Sequence, residues 1–183
     1  MTQNIAHKID FFDEKFAEKT SESKFGLCDD GGSKMAYLDF EDSQKWQGVV
    51  ENENKLLVSF HPVDNCVKLK KDDGKDDEKC DGILRYSTTE GEKEQKCIVF
   101  VELKDCKTSG YWCQTAQKQI ETTMKHFKNL HGLSNSYKIF AWIANKQQKG
   151  SRSTGQASDT FRKVISDKFD ITLTPKIEKT FKI

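Results

Sequence analysis

Short β-rich apolar runs separated by an amphipathic stretch predict an α/β protein, a single domain over residues 1–183 with a central mixed β-sheet flanked by α-helices. Two observations carry this. The segments Cys97 to Val101 and Ile139 to Ile143 are apolar, short and rich in β-branched and aromatic residues, as buried strands are. Between them Ala116, Ile120, Met124 and Phe127 recur at helical spacing, which predicts a helix from about Trp112 to Leu130 with one apolar stripe. A chain of 183 residues holds one domain with a real core and is short for two.

Taken in order, Ile5, Ile9, Phe12 and Phe16 alternate with charges at helical spacing and predict an amphipathic helix over Ile5 to Thr20. Ser21 to Ser33 contains Gly26, Gly31 and Gly32 and reads as a connection. Met35 to Phe40 fits a short strand or a helix start. Lys55 to His61 reads as a strand closed by Pro62, with Cys66 to Leu69 as a possible hairpin partner. Lys70 to Lys79 is a run of charges that satisfies no register of a calcium-binding EF-hand loop, and reads as a solvated loop. Asp81 opens a short apolar strand, and a polar loop from Ser87 to Lys96 joins it to the Cys97 strand as an antiparallel hairpin. After the central helix come the strand Lys138 to Ala144, a polar segment Lys146 to Gly155, a helix Phe161 to Phe169 and an edge strand at Ile171 to Leu173 before a basic tail.

Thirty basic residues against twenty-nine acidic ones leave a formal charge of +1, so there is no global basic field, and any nucleic-acid contact needs a local patch. The six cysteines, Cys28, Cys66, Cys80, Cys97, Cys106 and Cys113, form no Cys-x-x-Cys knuckle and read as reduced structural thiols ahead of zinc, redox or disulfide roles. Met1 to Asp10 lacks the apolar centre of a secretory leader, and no run of about 18 apolar residues is present, so a soluble cytoplasmic protein without membrane contact is expected. There is no glycine-rich phosphate loop, and Ser109 and Ser158 lack the context of a nucleophile elbow. His7, His126 and His131 make no metal pattern, since His126 and His131 are five apart on a helix whose faces repeat at three and four. His61, next to Pro62, reads as a core or capping residue before it reads as a general base.

The chemistry-bearing pattern is Val101-Glu102-Leu103-Lys104. On a strand, Glu102 and Lys104 share one face and Val101 and Leu103 the other, which puts a carboxylate beside an ammonium at a strand end. Asp81, on the neighbouring strand of the hairpin, supplies a second carboxylate. An ion pair at the sheet surface is the plainer reading of the same residues; a magnesium-dependent phosphodiesterase site is the sharper one.

Asp81, Glu102-Leu103-Lys104 and the order strand, strand, helix, strand between Asp81 and Asn145 resemble the PD-(D/E)xK nuclease superfamily, with Cys80 where that signature has Pro. The resemblance implies a restriction-endonuclease-like fold and a Mg2+ (or Mn2+) dependent nuclease acting on DNA, in a setting like bacterial defence or repair. Asp81, Glu102 and the Leu103 carbonyl would then be metal ligands and Lys104 the base or charge stabiliser. Gln119, with Thr123 four residues on, resembles the superfamily's Gln-x-x-x-Tyr element with Thr in the Tyr place. An early helical carboxylate would come from Glu18, Glu22 or Glu41. For DNA, Lys107, Lys118, Lys125, Lys138, Lys146, Lys149 and Arg152 are the candidate phosphate contacts, and Tyr111 and Trp112 either stack on a base or anchor the helix start. A homodimer is possible on this resemblance, with no face marked for it. The rival expectation is the same fold without turnover, serving as an interaction module.

Overall fold

The computed structural model describes residues 10–107, 111–148 and 156–183. It is an α/β protein with two mixed sheets and two helices. The elements are β1 (Glu18–Thr20), β2 (Lys24–Cys28), β3 (Tyr37–Asp39), β4 (Gly48–Glu51), β5 (Val58–Pro62), β6 (Gly82–Glu90), β7 (Lys93–Lys104), α1 (Trp112–His131), β8 (Tyr137–Asn145), α2 (Gln156–Phe169), β9 (Leu173–Ile177) and β10 (Thr180–Lys182). The large sheet has the order β1-β5-β6-β7-β8-β9, antiparallel from β1 to β7 and parallel from β7 to β9. The small sheet, β10-β4-β2-β3, was not foreseen; β10 runs parallel to β4 and the rest is antiparallel.

Strand alternation sorts the large sheet's side chains into two cores. Ile83, Ile98, Phe100, Ile139, Ala141 and Ile143 face the α1 stripe of Ala116, Ile120, Met124 and Phe127. Leu84, Val99, Val101, Leu103, Phe140 and Trp142 face the small sheet's Phe25, Leu27, Val50 and Phe181. The helix α1 stops where Gly132, at φ 72°, donates its N–H back to the Lys128 carbonyl at 3.0 Å. Lys128 Nζ in turn donates to the carbonyl of Phe169 at the end of α2, 2.8 Å away, tying the two helix ends together.

Several expectations are corrected. The described part of Ile5 to Thr20 is turn and short strand, because the Asp10 and Asp13 carboxylates accept from the N–H groups of Phe12 (2.9 Å) and Lys15 (3.0 Å) and compete with helical bonding. Phe11 still reaches the core, its ring 5.3 Å from that of Phe127. Ser21 to Ser33 contains β2, where Gly26 is needed inside the strand: a Cβ there would lie 2.1 Å from the Trp46 ring. Met35 to Phe40 resolves as the strand β3. Cys66 to Leu69 cannot pair with β5, whose two edges are taken by β1 and β6, and it follows a turn instead. Ser87 to Lys96 is not a loop: β6 and β7 pair through it to a two-residue turn at Gly91 (φ 65°) and Glu92. The last strand of the large sheet begins at Leu173 rather than Ile171, and the basic tail becomes β10. No described helix is long and apolar enough to cross a membrane.

Candidate functional site

The end of the β6–β7 hairpin away from its turn gathers the chemistry. Gly82 pairs with Val101, so one step outward Asp81 and Glu102 stand opposite each other, on the side of the sheet that α1 covers. Asp81 is fixed from both sides: its N–H donates to Val101 O (3.1 Å), its Oδ2 accepts from Leu103 N–H (2.6 Å), and its carbonyl accepts from Val63 N–H (2.9 Å) just beyond β5. Glu102 is 0% exposed and Asp81 6%. Lys104 Nζ pairs with Glu102 Oε1 and donates to Gln119 Oε1 at 3.0 Å. Gln119 Nε2 then donates to the Lys79 carbonyl at 3.2 Å. Asp81, Glu102, Lys104 and Gln119, expected from sequence as one site, are therefore brought together by β6, β7 and α1.

Electrostatics follow from the burial. Desolvation pushes the Asp81 carboxyl up to about 7, against the Leu103 N–H, and the charges of Asp29 and Asp64 push it the same way. Burial, then the charge of Asp81, raises Glu102 well above the ordinary carboxylate range despite Lys104. Burial pulls the Lys104 ammonium down, but Glu102 outweighs it and holds Lys104 above its usual value, so it stays a cation. Glu102 Oε2 has no hydrogen-bond partner, an omission that costs about 1–3 kcal/mol for a buried polar atom.

A divalent cation fits this donor set in part. Two carboxylates with an orphaned oxygen suit magnesium, a hard cation that is bound by one or two carboxylates and keeps its remaining positions for water or phosphate. Among the described residues no cluster of three or more His, Cys, Asp or Glu exists, so the protein offers two carboxylates here and not an all-protein cage.

The other expected residues divide. Glu18 accepts from Leu38 N–H (3.2 Å) and joins β1 to β3, while Glu22 and Glu41 are exposed; none is hydrogen-bonded to Asp81, Glu102, Lys104 or Gln119. Asp64 and Asp29 were missed. Asp64 lies two residues beyond β5, a position that gains meaning only once β5 is known to pair with β6; Asp29 has no local signal. Trp112 is buried, but the Tyr111 side chain is 82% exposed and does not anchor the helix start in the core. Lys118 pairs with Glu78 (3.2 Å) and Lys146 with Asp105 (3.4 Å); Lys107, Lys125 and Lys138 are exposed. Lys149, Arg152 and Ser109 lie outside the described residues. Asn145, fully buried at the end of β8, holds the loop after β7 by donating to Cys106 O at 3.0 Å. His61 is buried with both ring nitrogens unpartnered, and burial brings it down to about 4. His126 pairs with Asp77 at 3.0 Å. None of the six cysteines is in a disulfide, and four of them are buried.

No protein-family model, no curated protein and no solved structure matches this chain.

Proposed function

We propose that this chain is a Mg2+-dependent phosphodiesterase of restriction-endonuclease-like fold that cleaves DNA. The observation that carries the reading is the convergence of Asp81, Glu102 and Lys104 on one face, at the end of an antiparallel pair, with α1 crossing from β7 to the parallel strand β8. Asp81 and Glu102 would hold the ion through carboxylate oxygens, with the Leu103 carbonyl as the further ligand that the resemblance implies. Held there, magnesium would supply Lewis-acid polarisation of a phosphate and acidify a bound water. Lys104 remains protonated beside Glu102, which suits it to offset negative charge developing on phosphate rather than to accept a proton. Gln119 keeps the ammonium aimed by accepting one of its hydrogens.

Calorimetry with Mg2+ and Mn2+ on the native protein, Asp81→Ala and Glu102→Ala, alongside cleavage of plasmid and single-stranded DNA, tests this. Expected are metal binding lost in both variants and cleavage lost in Lys104→Ala with metal binding retained. A second reading, an interaction module without turnover, is favoured by the complete burial of Glu102 behind its lysine. Absence of both metal binding and cleavage in the native protein selects it.

A further inference from the structure

The residue standing where the resemblance has a tyrosine is the one that grips the backbone ahead of Asp81. Thr123 lies in the middle of α1 and is fully buried. Its hydroxyl donates to the carbonyl of Gln119, one turn back, at 3.0 Å, the habitual bond of a helical threonine. That leaves the oxygen's lone pairs facing outward from the helix, and one of them accepts the Cys80 N–H at 2.8 Å. Cys80 precedes the first paired residue of β6, so its N–H has no place in the β6–β7 ladder, and Asp81 N–H already serves Val101. Without the hydroxyl, a buried donor would be stranded.

The Lys79 carbonyl and the Cys80 N–H belong to one peptide unit. Gln119 Nε2 holds its oxygen and Thr123 Oγ1 holds its nitrogen, so two side chains four apart on α1, on one face of the helix, clamp both ends of a single amide plane. That plane ends at the Cα of Cys80, one peptide unit ahead of Asp81, so it fixes the direction from which the chain reaches the Asp81 Cα. The other end of Gln119 accepts from Lys104, so one turn of α1 ties the Lys79–Cys80 peptide ahead of Asp81 to the Lys104 ammonium.

We infer that Thr123 is a positioning residue for Asp81, setting the separation of the two carboxylates through the Lys79–Cys80 peptide. This rests on the metal-site reading above. Outer partners of metal ligands change affinity by about 10- to 100-fold when removed. Thr123→Val keeps the shape and removes the hydroxyl; Thr123→Ser restores the hydroxyl without the methyl; Thr123→Ala serves if the valine variant does not fold.

The experiment is Mn2+ titration by calorimetry of native protein and each variant, on samples whose folding is checked by circular dichroism. Expected is an affinity at least about tenfold weaker in Thr123→Val or Thr123→Ala, and within about threefold of native in Thr123→Ser. Native protein that binds Mn2+ with the valine and alanine variants unchanged overturns the inference alone, as does a serine variant as weak as valine. Native protein that binds no Mn2+ overturns the metal-site reading and the inference together.

Discussion

The two faces of β7 are built on one strand and obey opposite energetics. Its Val99, Val101 and Leu103 enter the core between the sheets, where removal of apolar surface from water is worth roughly 25 cal/mol per Å2. One residue along, Glu102 and Lys104 lie under α1, where taking each charge out of water costs several kcal/mol, only partly offset by their pairing. A leucine at position 102 would continue the stripe of Ile98 and Phe100 at far lower cost. The inter-sheet face holds the fold together, whereas the α1 face gives up stability at its end. Such a sacrifice at a cluster of raised carboxyls is what a functional site requires, and it supports the proposed reading.

The largest effect is expected on the inter-sheet face. Trp142 is fully buried, donates its Nε1–H to the Glu178 carbonyl at 2.8 Å, and packs its ring 5.3 Å from Phe181. Gly48 passes so close that a Cβ there would sit 2.7 Å from this ring. Truncation in Trp142→Ala should cost about 3–5 kcal/mol in urea unfolding. A cost below about 1 kcal/mol would mean that the small sheet contributes little to the core, and would break the comparison.

On the α1 face, pH separates two buried groups of opposite sign. Asp81, raised from 3.8 to about 7, binds a proton in the folded state that the unfolded chain has released, so its contribution falls as pH rises from about 4 to 7. His61, lowered from 6.5 to about 4, is neutral when folded while the unfolded chain is protonated, so its contribution falls as pH drops from 6.5 to about 4. The two slopes oppose each other over a shared window, and in metal-free native protein they largely cancel. Asp81→Asn, which keeps an oxygen for the Leu103 N–H, should leave stability near pH 4 unchanged and raise it above pH 7 by up to about 4 kcal/mol. His61→Leu should remove the acid-side loss, up to about 3 kcal/mol, and leave a stability that declines towards neutral pH. Urea unfolding at pH 4.5, 5.5, 6.5 and 8 reads both; parallel profiles for the two variants would show that neither group carries the assigned burial cost.

How much of this was legible in the sequence depends on the range of the interaction. The α1 stripe and the alternation along β7 and β8 are local periodicities, and they placed Glu102 and Lys104 on the right face and Gln119 on the right helix. The small sheet was hidden because its signals are non-local. In β2 the glycine that reads as a loop marker makes room for Trp46, twenty residues away, and β10 depends on parallel pairing with β4 across most of the chain. The hairpin beyond Ser87 was missed because its strands are polar there, Thr88 opposite Gln95 and Thr89 opposite Glu94, so hydrophobic pattern cannot reveal them. Asp81 could be proposed from its spacing to Glu102. Its grip by Thr123 could not, because that bond joins residues 43 apart.

The smallest stability effect is expected outside both faces, and it sharpens the contrast between folding and function. Lys118 and Glu78 form a pair at 3.2 Å with side chains 68% and 44% exposed, so water and salt already screen it. A double-mutant cycle with Lys118→Ala and Glu78→Ala should give a coupling of about 0.5 kcal/mol or less. The same lysine lies one residue before Gln119 on α1, close to where the proposed reading brings a phosphate backbone. If it touches phosphate, Lys118→Ala should weaken DNA binding evenly across sequences and reduce the slope of log affinity against log salt by about one unit. An unchanged slope would remove Lys118 from the DNA path while leaving the stability prediction intact, since the two effects arise from different partners of one ammonium group.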